Sequence, residues 1–184
     1  MRTKETASLG SGYCYLVEVA ADTSVLAADL VALATDANKI GETSKGATLT
    51  YSGDTHEESD DHGLVTRVIT TKETVELDLG VFTWGLDTLK NLASTARIEK
   101  EGDYDVLKIG GLGKDNGKRY VVIFKQVDAE LGDLYVAMIA TNTAGLALAF
   151  ARDNVTKLQP KFRALPCDKE GTLVKMFEAL PTAA

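Results

Sequence analysis

From residue 64 to residue 79 the chain runs sixteen residues without glycine or proline, rich in Val, Ile and Thr. The composition signals a strand, and the length is the constraint, because strands in globular proteins usually stop at ~5–6 residues. Val75, Leu77 and Leu79 alternate with Thr74, Glu76 and Asp78, so the later half carries one apolar and one polar face. A strand this long must either bend at a bulge or project beyond the body as one side of a hairpin. Any fold has to be built around it.

Immediately before this strand, residues 53–63 (GDTHEESDDHG) hold five acids, Asp54, Glu57, Glu58, Asp60 and Asp61, and no base. They predict a solvated acidic loop or arm that stays loose until a basic partner meets it. Like charges repel, and the segment has no apolar surface to offset its ordering entropy. A short strand over 48–52 leads into it. The aromatic and β-branched run over 13–19 reads as an opening strand. Further strands are expected over 96–100, 104–109, 119–126, 134–141, 146–150, 161–165 and 173–178, separated by turns rich in Gly or Asp. Leu86, Leu89 and Leu92 are spaced for one face of a helix over 84–94, with Thr83 or Asp87 as its cap. Leu26, Leu30 and Leu33 suggest a second short helix over 24–36, capped by Ser24. Many strands with one flanking helix predict a mainly β fold. Its form would be a β-sandwich or partial barrel with a long projecting hairpin or loop, in a single domain over 1–184.

An apolar share of 45% and a charged share of 26% match an ordinary globular protein. The longest near-apolar stretch, 134–150, is interrupted by Thr141, Asn142 and Thr143, whereas a membrane-spanning helix needs ~20 apolar residues. Arg2 and Lys4 near the start precede no apolar segment, so no secretory signal is expected. Cys14 and Cys167 sit near opposite ends of the sequence and read as free thiols of a reducing cytoplasm. The net charge of −7 argues against wrapping nucleic acid by phosphate neutralisation. An acidic surface can still face DNA if its job is to avoid sticking.

His56 and His62 flank four of the acids, which raises a metal site. The spacing lacks the alternate acids and central Gly of a calcium loop, and zinc ligands usually come from rigid elements, so a solvated loop is expected instead. GGLG at 110–113 resembles a phosphate cradle, but no helix start follows it, and a hairpin connection is expected there. Neither cysteine lies in a nucleophile motif, and both histidines fall in the acidic loop. No catalytic, cofactor or metal site is expected, and the chain reads as a non-enzyme. Trp84 reads as a buried helix anchor. Lys157, Lys161 and Arg163 form either a solvated face or one half of a charge-complementary subunit contact with the acidic loop.

Taken in order, GYCYL at 12–16, GATLTY at 46–51, TTKET at 70–74, FTWGL at 82–86, LKIGG at 107–111, NGKRYVV at 116–122, KFRALP at 161–166 and GTL at 171–173 resemble the tail tube proteins of long-tailed phages. The tubes of contractile tails and related bacteriocins belong to the same resemblance, which spans about Gly10 to Glu178. It implies hexameric rings whose inner sheets join into an inter-subunit β-barrel, stacked into a hollow tube that conducts DNA. It implies the partners of such a tube: tape measure, tail terminator and baseplate proteins, and a sheath where the tail contracts. The location it implies is a virion tail or bacteriocin particle assembled in the bacterial host cytoplasm. Under it, the inter-ring contact falls to the acids of 53–63 and to Lys157, Lys161 and Arg163. The lumen falls to Thr70, Thr74, Glu76 and Asp78, or to acids in the turns at 101–105 and 128–133. The rival reading is a stand-alone β-sandwich ligand-binding module, which would present exposed aromatics on a concave face.

Overall fold

The computed structural model describes residues 12–62, 66–115, 117–128, 132–150, 152 and 156–178. The amino-terminal stretch 1–11, Gly63 and Leu64 lie outside the described residues, as does Asn116. The described chain is mainly β. It contains β1 (Gly12–Val19), β2 (Thr43–Ser59), β3 (Thr66–Val81), helix α1 (Leu86–Leu92), β4 (Arg97–Glu101), β5 (Tyr104–Lys108), β6 (Arg119–Gln126), β7 (Leu134–Asn142), β8 (Lys161–Leu165) and β9 (Lys175–Glu178). One large antiparallel sheet runs β1-β6-β7-β8-β3-β2. Along one edge of β7, β9 pairs residues 134–137 and β8 pairs residues 139–142. β4 and β5 form a separate hairpin.

The apolar pattern explains this order. β6 and β7 read as nearly continuous apolar runs, and both of their faces are buried. On one side Tyr120, Val122, Val136, Met138 and Ala140 meet Val75, Leu77, Leu79 and Val81 of β3, Phe162 of β8, and Leu89 and Leu92 of α1. On the other side Val121, Ile123, Tyr135, Ala137 and Ile139 are covered by Leu26 and Leu30. β3 needs only alternation, since just one of its faces meets the core. The sheet curls, and its two outermost strands approach each other where the Thr43 hydroxyl donates to the Gly12 carbonyl.

Three expectations about secondary structure are corrected. Residues 24–36 form no α-helix; 3₁₀ turns occur at Val31–Leu33 and Asp36–Asn38. The leucine spacing serves to pin an irregular segment to the sheet. Asp29 competes locally for the backbone by accepting the Ala32 N–H at 3.1 Å, the side-chain chemistry that disfavours helix interiors. Residues 146–150 are not a strand. Asn142 turns the chain out of the ladder by donating to the carbonyls of Leu92 (2.6 Å) and Gly145 (2.9 Å), and Leu146 and Leu148 then cover the core without pairing. The Gly-rich segment 110–117 is not a hairpin turn, because β5 and β6 belong to different sheets.

The helix expected over 84–94 is real but shorter. Gly85 is its N-cap, with the Gly85 N–H donating to the Thr88 hydroxyl at 3.4 Å. Leu89 and Leu92 are buried, but Leu86 is 39% exposed and does not join them in the core. Trp84, just before the helix, is partly buried, donates its indole N–H to the Thr156 carbonyl at 3.1 Å and meets Phe150 edge-on at 6.4 Å.

Candidate functional site

The acidic segment is not a loop. β2 continues through it to Ser59 and pairs with β3 almost to the tip, leaving residues 60–62 as the described part of the turn. The expected strand over 48–52 is the middle of this 17-residue element. The backbone ladder carries the acids, and its register places bases opposite two of them: Lys72 lies across from Asp54, and Arg67 across from Glu58, though neither pair closes to an ion pair among the described residues. Opposite charges directly across a ladder favour pairing. Read along a single strand, the acids show only their mutual repulsion.

The hairpin divides into a base and an arm. In the base, Val75, Leu77, Leu79 and Val81 are buried. Opposite the last of these β2 bulges over 44–46, and its Ser44 carbonyl comes so close to Gly80 that a Cβ there would lie 2.2 Å away. Glycine is required by that approach. In the arm, residues 51–59 and 66–73 are exposed throughout, which at ~3.4 Å per residue projects about 30 Å beyond the core.

A one-residue slip marks the start of the arm. Asp54 pairs with Lys72 and Thr55 with Thr70, leaving Thr71 as the extra residue; its hydroxyl donates to the Asp54 carbonyl at 3.1 Å. Since sheet faces alternate with period two, one extra residue exchanges the faces of β3 beyond it. Val68, across from Glu57, thereby joins the side that carries Tyr51 and Val75. Ile69, across from His56, joins the side that carries Thr74 and Glu76. Both apolar side chains are exposed, Val68 at 57% and Ile69 at 45%. Tyr51 is tied across the ladder by a 2.7 Å hydrogen bond from its hydroxyl to Glu73, a link with no sequence signature because its partner depends on register.

The residues singled out from sequence separate into two groups. Asp54, Glu57, Glu58, Asp60 and Asp61 all lie on the arm or its turn and are exposed; Glu58 has His56 at 3.5 Å. Thr70 is on the arm as well. Thr74, Glu76 and Asp78 lie at the base, where the structure brings two of them together with the basic cluster. Arg163 donates to Glu76 Oε1 from Nε (3.1 Å) and Nη2 (2.9 Å), while Lys161 lies 3.3 Å from Glu76 and 3.6 Å from Asp78. Arg163 first, and Lys161 after it, hold the Glu76 carboxyl below the usual range. No protein-family model matches the sequence, and no curated protein matches it. Lys157 stands apart, donating to the Ser44 hydroxyl at 3.2 Å and lying 5.9 Å from the Phe82 ring centre. In the turns, Glu101 pairs with Lys108 at 2.5 Å and Asp133 with Lys125 at 2.8 Å.

Cys14 and Cys167 are buried and unbridged. Burial pushes the Cys14 thiol up to about 12 and raises Cys167 as well, which makes both poor nucleophiles. Among the described residues no group of three or more His, Cys, Asp or Glu side chains is placed to hold a metal, and no helix is long and apolar enough to cross a membrane.

Proposed function

We propose that this chain is the structural subunit of a phage-type tail tube, acting by assembly rather than catalysis. The observation that carries the reading is the arm: two strands extending ~30 Å from the core with both faces exposed. A two-stranded hairpin alone is marginal in water, so an arm that buries nothing within its own subunit is an element awaiting a partner surface. In this reading the curled sheet of each copy contributes one segment of a β-barrel closed across six subunits, which removes the open edges of its outer strands. The arm bridges to the neighbouring ring. The stacked rings conduct DNA, and tape measure, terminator, baseplate and, in contractile tails, sheath proteins complete the particle.

The polar face of the hairpin base fits a channel wall that does not bind phosphate. Thr48, Thr50 and Thr74 are uncharged, and Glu76 and Asp78 are balanced by Arg163 and Lys161. On this reading the net negative charge of the lumen comes from other acids.

Sedimentation velocity and negative-stain microscopy of the purified chain at rising concentration test the proposal. Six-fold rings or tubes are expected. A strict monomer at every concentration would overturn it and favour a stand-alone binding module.

A further inference from the structure

A pocket of about 210 Å³ opens between the end of α1, the start of β6 and the end of β7. Tyr120 lines it and is 4% exposed, yet its hydroxyl has no hydrogen-bond partner among the described residues. A buried hydroxyl left unpaired is costly and calls for an occupant. Around it stand Asn91, Ser94 and Thr141, whose side-chain polar groups are likewise unpaired among the described residues. Asp115 also lines the pocket. Its Oδ1 accepts the Gly117 N–H at 3.1 Å, and its other oxygen has no partner among the described residues. Lys118, the one cation among the described lining residues, is held by Glu18 at 2.5 Å. Asn142 is saturated by four contacts and serves as wall.

Size and charge together select the ligand. Pockets for whole metabolites run ~300–1,000 Å³, so this one admits a side-chain head group. Its lining offers oxygens from Asp115, Tyr120, Ser94, Thr141 and Asn91, with one uncompensated negative charge. Burial, with Glu18 adding to it, pushes the Tyr120 phenol up to about 12, so that oxygen remains a neutral hydroxyl able to accept. A guanidinium, planar, permanently charged and carrying five N–H donors, is the complementary group.

The chain carries a matching group. Arg67, on the exposed arm, lies across the ladder from Glu58 but forms no hydrogen bond or ion pair among the described residues. We propose that the pocket beneath Tyr120 receives the Arg67 guanidinium of a second copy, so that the arm of one subunit is keyed into the body of the next. This rests on the self-assembly proposed above and names the residues that would direct it.

Two experiments separate the pocket from the assembly. L-arginine amide, titrated into the unassembled protein, should shift the Tyr120 ring resonances saturably, with L-lysine amide much weaker. Tyr120→Phe should weaken the binding about fivefold. Absence of saturation, or equal binding of the lysine probe, overturns the guanidinium assignment whether or not tubes form. Second, a mixture of Arg67→Cys and Ser94→Cys chains should form an intermolecular disulfide in assembled material, while neither variant does so alone. Tubes that assemble from this mixture without the cross-link overturn the keying by Arg67 and leave the tube reading standing. If no assembly occurs even in the wild type, both the tube reading and the keying fall, and a saturable arginine amide shift then supports only the pocket's preference for guanidinium.

Discussion

Arg163 closes on Glu76 across the β3–β8 ladder, its Nε and Nη2 lying 3.1 and 2.9 Å from the same carboxylate oxygen. The two residues are register partners, so the contact ties the base of the arm to the strand that follows in the sheet. A lowered carboxyl value stabilises the fold above the ordinary 4.5, and that contribution disappears as pH falls through the folded-state value. Glu76→Gln should therefore melt slightly below wild type at pH 7, with the two curves converging under strong acid. A gap that persists undiminished at pH 2 would mean that the carboxylate charge is not what stabilises this contact. The pair is open to solvent, so the shift should be small and should shrink further in high salt.

Asp168 organises the turn between β8 and β9. Its Oδ1 accepts the N–H groups of Glu170 and Thr172, each at 3.0 Å. The Thr172 side chain first, then its backbone N–H, and further partners including Lys175 bring the carboxyl down from 3.8 to about 2. The stabilisation is complete above 3.8 and is lost as pH falls through about 2. Asp168→Ala should lower the melting temperature at neutral pH, whereas Asp168→Asn, which keeps the acceptor oxygen, should retain much of it. Equal losses in the two variants would show that charge, not turn geometry, dominates.

Leu89 and Leu86 make a matched pair of probes on one helix. Leu89 is 3% exposed and Leu86 39%. Leu89→Asp buries an unpaired carboxylate and should cost more than about 4 kcal/mol, in the range that unfolds a marginal domain. Leu86→Asp should stay within about 0.5 kcal/mol. Chemical denaturation of both variants checks this, and comparable losses would contradict the orientation of α1.

Deleting Thr71 removes the extra residue of the bulge but keeps the Asp54–Lys72 and Thr55–Thr70 pairs, so Val68 and Ile69 stay opposite Glu57 and His56 on the sides they already occupy. What is lost is the added twist of the bulge, which sets the direction in which the arm leaves the body. The variant should melt within a few degrees of wild type yet, under the proposed assembly, fail to polymerise, as read by sedimentation velocity. Normal assembly would mean that the direction set by this bulge is not needed to meet a neighbour.

Most strands were legible because their signal is local. β6 and β8 match their sequence-derived bounds, and the sixteen-residue run is found, displaced by two positions, as β3. The errors arise where the deciding partner is distant in sequence. The acidic stretch is held in a ladder with a distant facing strand, which sets Lys72 and Arg67 across from Asp54 and Glu58, and the leucines of 24–36 answer to the outer face of β6 and β7 rather than to a helix axis. The cluster at Glu76 was visible only as two separate lists, one of acids and one of bases. Nothing in a linear sequence marks Tyr120 as unpaired, since that depends on which groups fail to reach it.

The strand order has a temporal side. β1 lies beside β6, and Glu18 contacts Lys118 from 100 positions away. At ~5–20 residues per second, the first strand leaves the ribosome on the order of ten seconds before its neighbour exists. Throughout that interval the buried side chains of Cys14, Tyr15 and Leu16 lack the strand that will cover them. The β2–β3 hairpin can zip locally meanwhile. Under the proposed assembly, the arm would thus be available to other copies before the body that carries it has closed, so the rate of synthesis, and any chaperone that shields the first strand, would govern how cleanly subunits join.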